Sequence, residues 1–453
     1  MEENPKAIDL FCGAGGISEG LKQAGFDILW ATDHDNKCVI THEANHEAET
    51  VQADIRDLDP EDVDLDPEDV DVVAGGPPCP TFSVVGRSKI NSIEGRDNGE
   101  DDRHQLYEHF LKFVNYFDPD VLIMENVEGM QSATNSEGED VIELIEEEMR
   151  ELGYQVNSQV VDAAKFGVPQ HRKRTIFIGS KNNRNIPDLE NWESHREPRE
   201  EKEKMIKPRD NPLRKKQGRL SEFTENGEAS FPDYRKNAEI KLPFNTVADA
   251  IIDLPPVYPE RTDGPSIEKE YSEVREYPVP ALSQYQEWVR DLPSQVDLHD
   301  HRVLDPEEQD ELERELNEAG EIDLEDHESR GHNIRDLTLY KMLGEGVGYR
   351  IGDLPDDFQP YRDDIFNDNY KKQNPKKPSS TIVAHISKDG HMFIHPDEAR
   401  SLTPREAARL QSFPDSYIFP VSRTATYRQI GNAVPPLLAR AIGTAVKKEL
   451  LGE

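Results

Sequence analysis

The feature that most constrains this chain is the alternation of short apolar runs with helical patterns along its first 180 residues. The first run, residues 7–11, leads into a glycine turn, and residues 17–24 then have the pattern of a helix that Gly25 closes. Helical patterns cover residues 104–117 and 141–152, and further apolar runs follow at 28–31, 70–74, 121–124 and 175–178. This alternation predicts an α/β fold, doubly wound around a mostly parallel sheet.

The charge balance restricts the surroundings in which such a chain works. Asp and Glu number 92 against 53 Lys and Arg, which gives a formal net charge of -39. A surface this acidic repels nucleic acid at low salt, but in molar salt the Debye length is only about 3 Å and the repulsion is screened. We therefore hypothesise a halophilic cytoplasm. A disordered acidic chain is the alternative, and the ordered patterns disfavour it except in the middle of the sequence.

The cysteines and the hydropathy pattern exclude several classes of protein. Cys12, Cys38 and Cys79 are far apart without paired spacing, so neither a disulfide framework nor a metal site is predicted. The N-terminus has no export signal, and no stretch of about 18 apolar residues indicates a membrane span. We expect a cytoplasmic protein with no membrane contact.

Two features of the first 35 residues favour an adenosine-containing cofactor. The turn Gly13-Ala14-Gly15-Gly16 brings backbone N–H groups and a helix N-terminus to the end of the first strand. Asp33 follows the second apolar run, where a doubly wound fold places an acid against ribose hydroxyls. The turn departs from the dinucleotide pattern G-x-G-x-x-G, and a tight strand-to-helix turn without a ligand is the alternative.

Cys79 is the candidate nucleophile. It lies within GGPPCPTFS, directly after the apolar run 70–74, and the carboxyl ends of parallel strands are where such folds bind ligands. Prolines on both sides stiffen the backbone and remove competing N–H donors, so the thiol is held in one pose. A buried structural cysteine is the alternative; we expect that simpler packing role for Cys12 and Cys38.

Two further motifs supply an acid and a pair of cations. Glu125 begins the tripeptide ENV after the run 121–124, and a helix-capping residue is the alternative interpretation. Arg172 and Arg174 stand in QHRKR before the last run, and alternation along a strand predicts that both face the same way. An ordinary basic turn is the alternative, although the acidity of the rest of the chain argues against it.

A seven-residue repeat and the middle of the chain carry less information. The segment LDPEDVD occurs at 58–64 and again at 65–71, which predicts an acidic surface loop. From about residue 184 to 241 the chain is charged and Pro-rich. Periodicity partly returns at 246–254, and the charged, helix-like stretch 306–319 is interpreted as a solvated face.

These blocks, in this order, resemble the cytosine-5 DNA methyltransferase family. DLFCGAGG is similar to the family's cofactor loop, GGPPCPTFS to its nucleophile loop, ENV to its acid and QHRKR to its paired arginines. Two C-terminal blocks, RSLTPREAARLQSFPD and YRQIGNAVPPLLARAIG, complete the set. The resemblance covers the first 180 and last 60 residues and implies a Rossmann-like, S-adenosylmethionine-dependent methyltransferase fold with an inserted target-recognition domain.

The resemblance implies S-adenosylmethionine as cofactor and no metal. Asp33 would bind its ribose, Asp54 would lie near its adenine, and Asn432 and Val434 would close the pocket. The implied cofactor residues are Phe11, Gly13, Ala14, Gly15, Gly16, Asp33, His34, Asp54, Pro78, Asn432 and Val434. Two positions depart from the family pattern: Pro80 replaces a common glutamine, and His34 stands where an aromatic ring often packs on adenine.

The implied activity is methyl transfer to carbon 5 of a cytosine flipped out of double-stranded DNA, with Cys79, Glu125, Arg172 and Arg174 as catalytic residues. The residues at 83–103 are expected to form a loop that closes over the base. The expected domains are a catalytic domain at 1–183, a target-recognition region at 184–423 and a returning segment at 424–453. Candidate DNA contacts lie at 214–219, 343–350 and 371–377.

Three other functions remain open. An RNA cytosine methyltransferase would use the same scaffold, and a non-catalytic DNA-binding module would keep the fold without turnover. A nicotinamide-dependent dehydrogenase would explain the glycine turn but leave Cys79, Glu125 and Arg174 unused. For the DNA enzyme we expect a monomer, with a restriction endonuclease as a possible functional partner.

Overall fold

The computed structural model describes residues 4–78, 106–134, 140–181, 184–197, 241–257, 259, 262–263, 283–290, 296–297, 302–303, 324–355, 358, 370–388 and 390–452. The strands of the main sheet are Lys6–Leu10 (β1), Asp27–Asp33 (β2), Glu49–Gln52 (β3), Val72–Gly75 (β4), Val121–Val127 (β5), Gln155–Asp162 (β6) and Lys173–Ser180 (β7). The helices of the same part of the chain are Gly16–Gln23 (α1), Asn36–Asn45 (α2), Leu106–Phe117 (α3) and Val141–Glu151 (α4).

The rest of the described chain is mainly helical. Two-residue strands pair as His195–Arg196 (β8) with Leu242–Pro243 (β9) and as Val296–Asp297 (β10) with Arg302–Val303 (β11). The helices are Val247–Ile251 (α5), Gln284–Val289 (α6), Ile334–Met342 (α7), Pro404–Leu410 (α8), Arg423–Asn432 (α9) and Pro436–Val446 (α10). Among the described residues, none of the helices combines the length and the apolar character that a membrane crossing requires.

The main sheet has seven strands in the order β3-β2-β1-β4-β5-β7-β6. β1 to β5 pair in parallel, whereas β7 runs antiparallel to both of its neighbours. The prediction of a doubly wound, mostly parallel sheet is therefore confirmed. β3 and β6, which the apolar runs did not predict, are the two edge strands, and both are partly exposed along their length.

Hydrophobic side chains alternate across the sheet and build a core on each face. On one face Leu10, Leu122 and Phe177 pack with α3 and α4. On the other face Ala7 and Ile123 pack with α1 and with helices from the C-terminal part of the chain. Because successive residues of a strand point to opposite faces, a run that is apolar throughout is buried on both sides.

The end of the chain packs on its beginning. α10 lies so close to α1 that a Cβ on Gly20 would stand 2.4 Å from Cβ of Ala439. Trp192 also donates its indole N–H to Glu449, at 2.6 Å. The expected domain boundaries at 183 and 423 stay a prediction. Residues on both sides of each boundary share one hydrophobic core. Some residues between 339 and 394 form a separate, smaller cluster.

The LDPEDVD repeat is more than an acidic loop. Each copy forms one 3-10 turn, at Pro60–Asp62 and Pro67–Asp69, whose preceding aspartate accepts a hydrogen bond from the turn's backbone. Val63 and Val70 are 7% and 4% exposed, so each copy also anchors a valine in the core. The predictions for 83–103, 214–219 and 306–319 lie outside the described residues.

Candidate active site

The glycine turn joins β1 to α1 in a backbone conformation that few side chains allow. Gly13 and Gly15 have φ of +54° and +77°, and Phe11 before them has φ of 60°. A Cβ on Gly16 would lie 2.1 Å from the carbonyl oxygen of Val434, so the returning C-terminal segment rests directly on the turn. Ala14, Gly15 and Gly16 are buried, while Gly13 and Phe11 remain partly exposed.

Asp33 ends β2 beside this turn. Its Oδ2 accepts a hydrogen bond from the N–H of Gly13 at 3.0 Å, and its Oδ1 accepts from the N–H of Asp35 at 2.8 Å. The ring of His34 lies 3.2 Å from Oδ1, and the hydrogen bond to Asp33 raises the pKa of His34. The carboxylate is thus held rigidly at the carboxyl end of its strand.

Asp54 lies two residues after the end of β3, so it and Asp33 are two acids at the carboxyl ends of neighbouring strands. Arg56 donates to its Oδ1 from Nε at 2.9 Å, and this hydrogen bond lowers the pKa of Asp54 to about 2. The ionised carboxylate is an acceptor for an amino group such as that of adenine.

These strand ends fit an adenosine-containing cofactor. A Cβ on Gly13 would meet only the carbonyl oxygen of Phe11, at 4.0 Å, so the backbone there leaves room for a ligand. Asp33 and Asp54 supply acceptors for hydroxyl and amino hydrogens at the ends of neighbouring strands. No group of His, Cys, Asp and Glu suited to a metal occurs within the described ranges.

A second group of residues lies where β5 and β7 pair. Register places Arg174 opposite Val127, and Nε of Arg174 lies 2.6 Å from Oε1 of Glu125. Both side chains keep a small exposed fraction, 12% for Arg174 and 13% for Glu125. A Cβ on Gly76 would stand 3.2 Å from Oε2 of Glu125, so the acid borders the start of GGPPCPTFS.

Asn126 fixes the start of the segment GGPPCPTFS, which we call the proline loop, to β5. Its Nδ2 donates to the carbonyl oxygen of Pro77 at 3.0 Å, and its Oδ1 accepts from the N–H of Val127 at 2.9 Å. The side chain is 4% exposed, so these bonds are made away from water. No function was predicted for Asn126 from the sequence, although its place beside Glu125 in ENV was the available signal.

The described part of the proline loop ends one residue before Cys79, the predicted nucleophile. Pro78 is exposed and is the last described residue before Cys79, which lies outside the described ranges together with Pro80. Cys12 is 6% exposed, and burial raises the pKa of its thiol, as expected for a packing residue. Cys38 is half-buried, and burial raises its pKa as well.

Arg172 makes different contacts from Arg174. Its guanidinium is 1% exposed and donates to the carbonyl oxygens of Ile382, at 2.8 Å, and Gly431, at 3.0 Å. Burial lowers its pKa, and the neighbouring charge of Arg174 adds to the shift. These contacts are those of an anchor between the sheet and the C-terminal part of the chain, and a direct role of Arg172 in catalysis stays a prediction.

Two glutamines extend this anchor, and sequence reasoning missed both. Gln170 accepts from the N–H of Ile382 at 2.7 Å and donates to Gln411. Gln411 in turn donates to the carbonyl oxygens of Ile430, at 3.0 Å, and Ala433, at 2.7 Å. The only sequence signal was that Gln170 and Gln411 stand inside QHRKR and RSLTPREAARLQSFPD.

The C-terminal residues predicted to close the cofactor pocket differ in exposure. Val434 is 8% exposed and contributes its carbonyl oxygen to the underside of the turn at Gly16. Asn432 is exposed at the end of α9. The structure therefore brings Val434 into contact with the turn, whereas Asn432, two residues earlier in the chain, lies at the surface.

Comparisons with known proteins find relatives along almost the whole chain. A family model described as C-5 cytosine-specific DNA methylase matches residues 5–448. The type II methyltransferase M.AgeI of Thalassovita gelatinovora is 32% identical over 98% of this chain and 99% of its own length. The type II methyltransferase M.DdeI of Desulfomicrobium norvegicum is 30% identical over 97% of this chain and 88% of its own.

Solved structures share the fold. A candidate DNA modification methyltransferase encoded within an E. coli prophage superposes with a TM-score of 0.62 at 24% identity, over 99% of this chain and 100% of its own. The Entamoeba histolytica methyltransferase EhMeth superposes with a TM-score of 0.51 at 11% identity, over 100% of both chains.

Proposed function

Because the chain belongs to the C-5 cytosine-specific DNA methylase family, we propose that it transfers a methyl group from S-adenosylmethionine to carbon 5 of a cytosine flipped out of a specific duplex DNA sequence. The observation that carries the proposal is the pair of Glu125 and Arg174, 2.6 Å apart and bordering the loop that leads to Cys79.

The nucleophile is Cys79. Carbon 5 of cytosine is a poor nucleophile, and attack of the Cys79 thiolate on carbon 6 makes it enamine-like. Glu125 gives a proton or a strong hydrogen bond to ring nitrogen 3, which offsets the negative charge that this attack places on the ring. Arg174 donates to the carbonyl oxygen of the base and holds Glu125 in place. Asn126, next to Glu125, holds the carbonyl group of Pro77, two residues before Cys79 in the chain.

S-adenosylmethionine supplies an electrophilic methyl group on its sulfonium sulfur. Gly13, Asp33 and Asp54, which follow the carboxyl ends of β1, β2 and β3 or end them, would bind and orient it, while Val434 supports the turn from the protein side. After carbon 5 has gained the methyl group, a base removes the carbon 5 proton and the bond between carbon 6 and Cys79 breaks. The electron pair of the broken bond between methyl and sulfur stays on the sulfur, the base carries away the proton, and the Cys79 thiolate is regenerated.

The biological setting is also a proposal. The similarity to type II methyltransferases supports a function in a restriction-modification system, with an endonuclease as functional partner, or in DNA modification without one. We propose a monomer that acts on double-stranded DNA in the cytoplasm, with the region between 184 and 423 providing target recognition.

The test is transfer of labelled methyl from S-adenosylmethionine to duplex DNA and to transfer RNA, in molar KCl. Cys79→Ser is compared with Cys38→Ser, a matched cysteine on α2. Label recovered as 5-methylcytosine in DNA, lost in Cys79→Ser and kept in Cys38→Ser, is the expected result. Label in RNA alone would overturn the DNA proposal, and a folded, cofactor-binding chain that labels neither would be a binding module.

A further inference from the structure

The inner face of the glycine turn rests on buried polar side chains to which the proposed mechanism assigns no function. Tyr417, 2% exposed, donates its hydroxyl hydrogen to the carbonyl oxygen of Ala14. The hydroxyl oxygen also lies 3.1 Å from Nε2 of His46, which caps the C-terminal end of α2. A residue near the end of the chain and one near its beginning thus meet beneath the proposed cofactor site.

The direction of these hydrogen bonds is fixed by the number of available protons. A tyrosine hydroxyl has one hydrogen, and that of Tyr417 points to Ala14, so Nε2 of His46 must be the donor to Tyr417. Burial lowers the pKa of His46 to about 3, and a neutral ring has one N–H, here on Nε2. The donors therefore run in one order, from His46 to Tyr417 to Ala14.

The neighbouring contacts leave this arrangement little freedom. A Cβ on Gly15 would lie 2.5 Å from the Tyr417 hydroxyl and 2.8 Å from Nε2 of His46. The rings of His42 and His46 are 4.5 Å apart, and His42 Nε2 lies 2.9 Å from Oγ of Ser18 on α1. Gly15 and the first turn of α1 therefore both lie against buried polar side chains.

The position of Tyr417 is itself fixed by the next residue. The N–H of Ile418 donates to Oδ1 of Asn45 at 2.9 Å, and Nδ2 of Asn45 donates to the carbonyl oxygen of Ile418 at 2.8 Å. This reciprocal pair ties the segment to the end of α2, so the hydroxyl reaches Ala14 from a rigid support.

We propose that Tyr417, oriented by His46, is a positioning residue for the cofactor turn. It restrains the carbonyl oxygen of Ala14 toward the protein interior, so the turn keeps its left-handed residues and presents its outer face to S-adenosylmethionine. The inference rests on the proposed function in taking S-adenosylmethionine as the ligand of the turn. It gives Tyr417 and His46 a function that no motif predicted.

The test compares Tyr417→Phe with Tyr154→Phe in the full chain. Tyr154 is 3% exposed and also donates its hydroxyl to a backbone carbonyl oxygen, that of Pro119 at 2.8 Å, but it belongs to the core on the opposite face of the sheet. Each variant loses one buried bond from a hydroxyl group to a backbone carbonyl oxygen, and Tyr417→Phe also loses the bond that His46 donates to the hydroxyl oxygen. We expect the Kd for S-adenosylmethionine, measured by calorimetry without DNA, to rise about fivefold to tenfold in Tyr417→Phe only.

Amide hydrogen exchange gives a second measurement that does not depend on turnover. The N–H groups of residues 13–16 should exchange faster in Tyr417→Phe than in Tyr154→Phe. The KM for DNA should stay unchanged in both. Equal Kd values and equal exchange in the two variants would overturn the inference.

Variants of His46 separate the direction of donation from mere packing. His46→Leu should weaken cofactor binding as Tyr417→Phe does, His46→Gln should restore part of it by keeping a donor, and the double variant with Tyr417→Phe should be no weaker than Tyr417→Phe alone. If Tyr417→Phe does not fold, His46→Leu against His46→Gln decides. A wild-type chain that binds S-adenosylmethionine without methylating DNA would overturn the proposed function and leave this inference standing.

Discussion

Ion pairs occur in two settings in this protein, and their settings match different tasks. Glu125, near the carboxyl end of β5, and Arg174, near the start of β7, keep 13% and 12% of their side chains exposed. Arg409, between Asp253 and Asp415, is fully buried in the C-terminal part of the chain. The first pair has access to a ligand, whereas the second can interact only with the protein.

This contrast indicates how an acidic chain can use charge without depending on salt for every ion pair. Exposed charges are screened within about 10 Å at 0.1 M salt, while buried pairs are screened much less. The buried arginines also donate to backbone: Arg409 to the carbonyl oxygen of Ala250 at 2.9 Å, and Arg405 to that of Tyr417 at 3.0 Å. The buried pairs therefore stabilise the fold, whereas the partly exposed Glu125–Arg174 pair is the one for which we propose a catalytic function.

The largest expected effect is at the Glu125–Arg174 pair. Glu125→Gln should lower kcat about 10²-fold to 10⁴-fold, because the amide gives no proton to ring nitrogen 3, while binding of S-adenosylmethionine stays intact. Glu128→Gln is the control, since Glu128 pairs with Lys173 at the surface, at 3.0 Å. Turnover of Glu125→Gln equal to that of the control would remove Glu125 from the mechanism and erase the contrast.

Removing a buried cation should act on stability instead. Arg409→Met leaves Asp253 and Asp415 without this partner in the interior, so the free energy of unfolding should fall by about 3–5 kcal/mol in urea titrations. Arg150→Met, which breaks the exposed pair with Glu146, should cost less than about 1 kcal/mol. Similar costs for the two variants would show that burial does not separate these pairs.

A buried histidine beside another buried carboxylate predicts that the stability of the protein depends on pH. His395 lies 3.6 Å from Glu406, and burial lowers the pKa of His395 from its ordinary value of 6.5 to about 3. Between these values the unfolded chain binds the proton and the folded chain does not. The contribution of the neutral His395 to the free energy of unfolding is therefore fully present above about pH 6.5 and is lost as the pH falls toward 3.

His395→Gln measures this contribution. The decrease in the free energy of unfolding between pH 6.5 and 5 should be shallower in the variant, by up to about 1.4 kcal/mol per pH unit. His385→Gln, at an exposed position, is the control and should keep the wild-type slope. Parallel slopes for all three proteins would contradict the assignment.

The smallest expected effect concerns the acidic surface. Glu143, Glu147 and Glu151 are exposed on α4 at intervals of four residues, where like charges repel by about 0.2–0.5 kcal/mol per pair. The wild type should gain Tm on going from 0.1 M to 2 M KCl, and the triple Glu→Gln variant should gain slightly less. A wild type that is folded and active at low salt and gains nothing from KCl would refute the halophilic hypothesis.

The parts of the fold that could be predicted from sequence are those that local patterns specify. β1, the glycine turn and α1 follow from an apolar run, positive-φ glycines and a helical period, and the structure confirms them. β3 and β6 were missed because edge strands are half-exposed and lack a continuous apolar run. The antiparallel direction of β7 is set by its pairing with β5, which no local pattern encodes.

The candidate site divides in the same way. Asp33 and Glu125 were predicted because each follows an apolar run at a strand end. Asn126 and Tyr417 were missed because their partners, Pro77 and Ala14, are 49 and 403 positions away in the chain. The different contacts of Arg172 and Arg174 have the same origin, since the carbonyl groups that bind Arg172 come from residues 210 and 259 positions later.

The tandem LDPEDVD segment shows how the connection between β3 and β4 can change length while the sheet stays the same. Each copy includes its own acidic cap and its own buried valine, so it is a self-sufficient building block between β3 and β4. A duplication of one block inserts both the bend and the anchor that the bend needs. Such a connection offers evolution, or a protein engineer, a place to add or remove seven residues while the strands on either side keep their register.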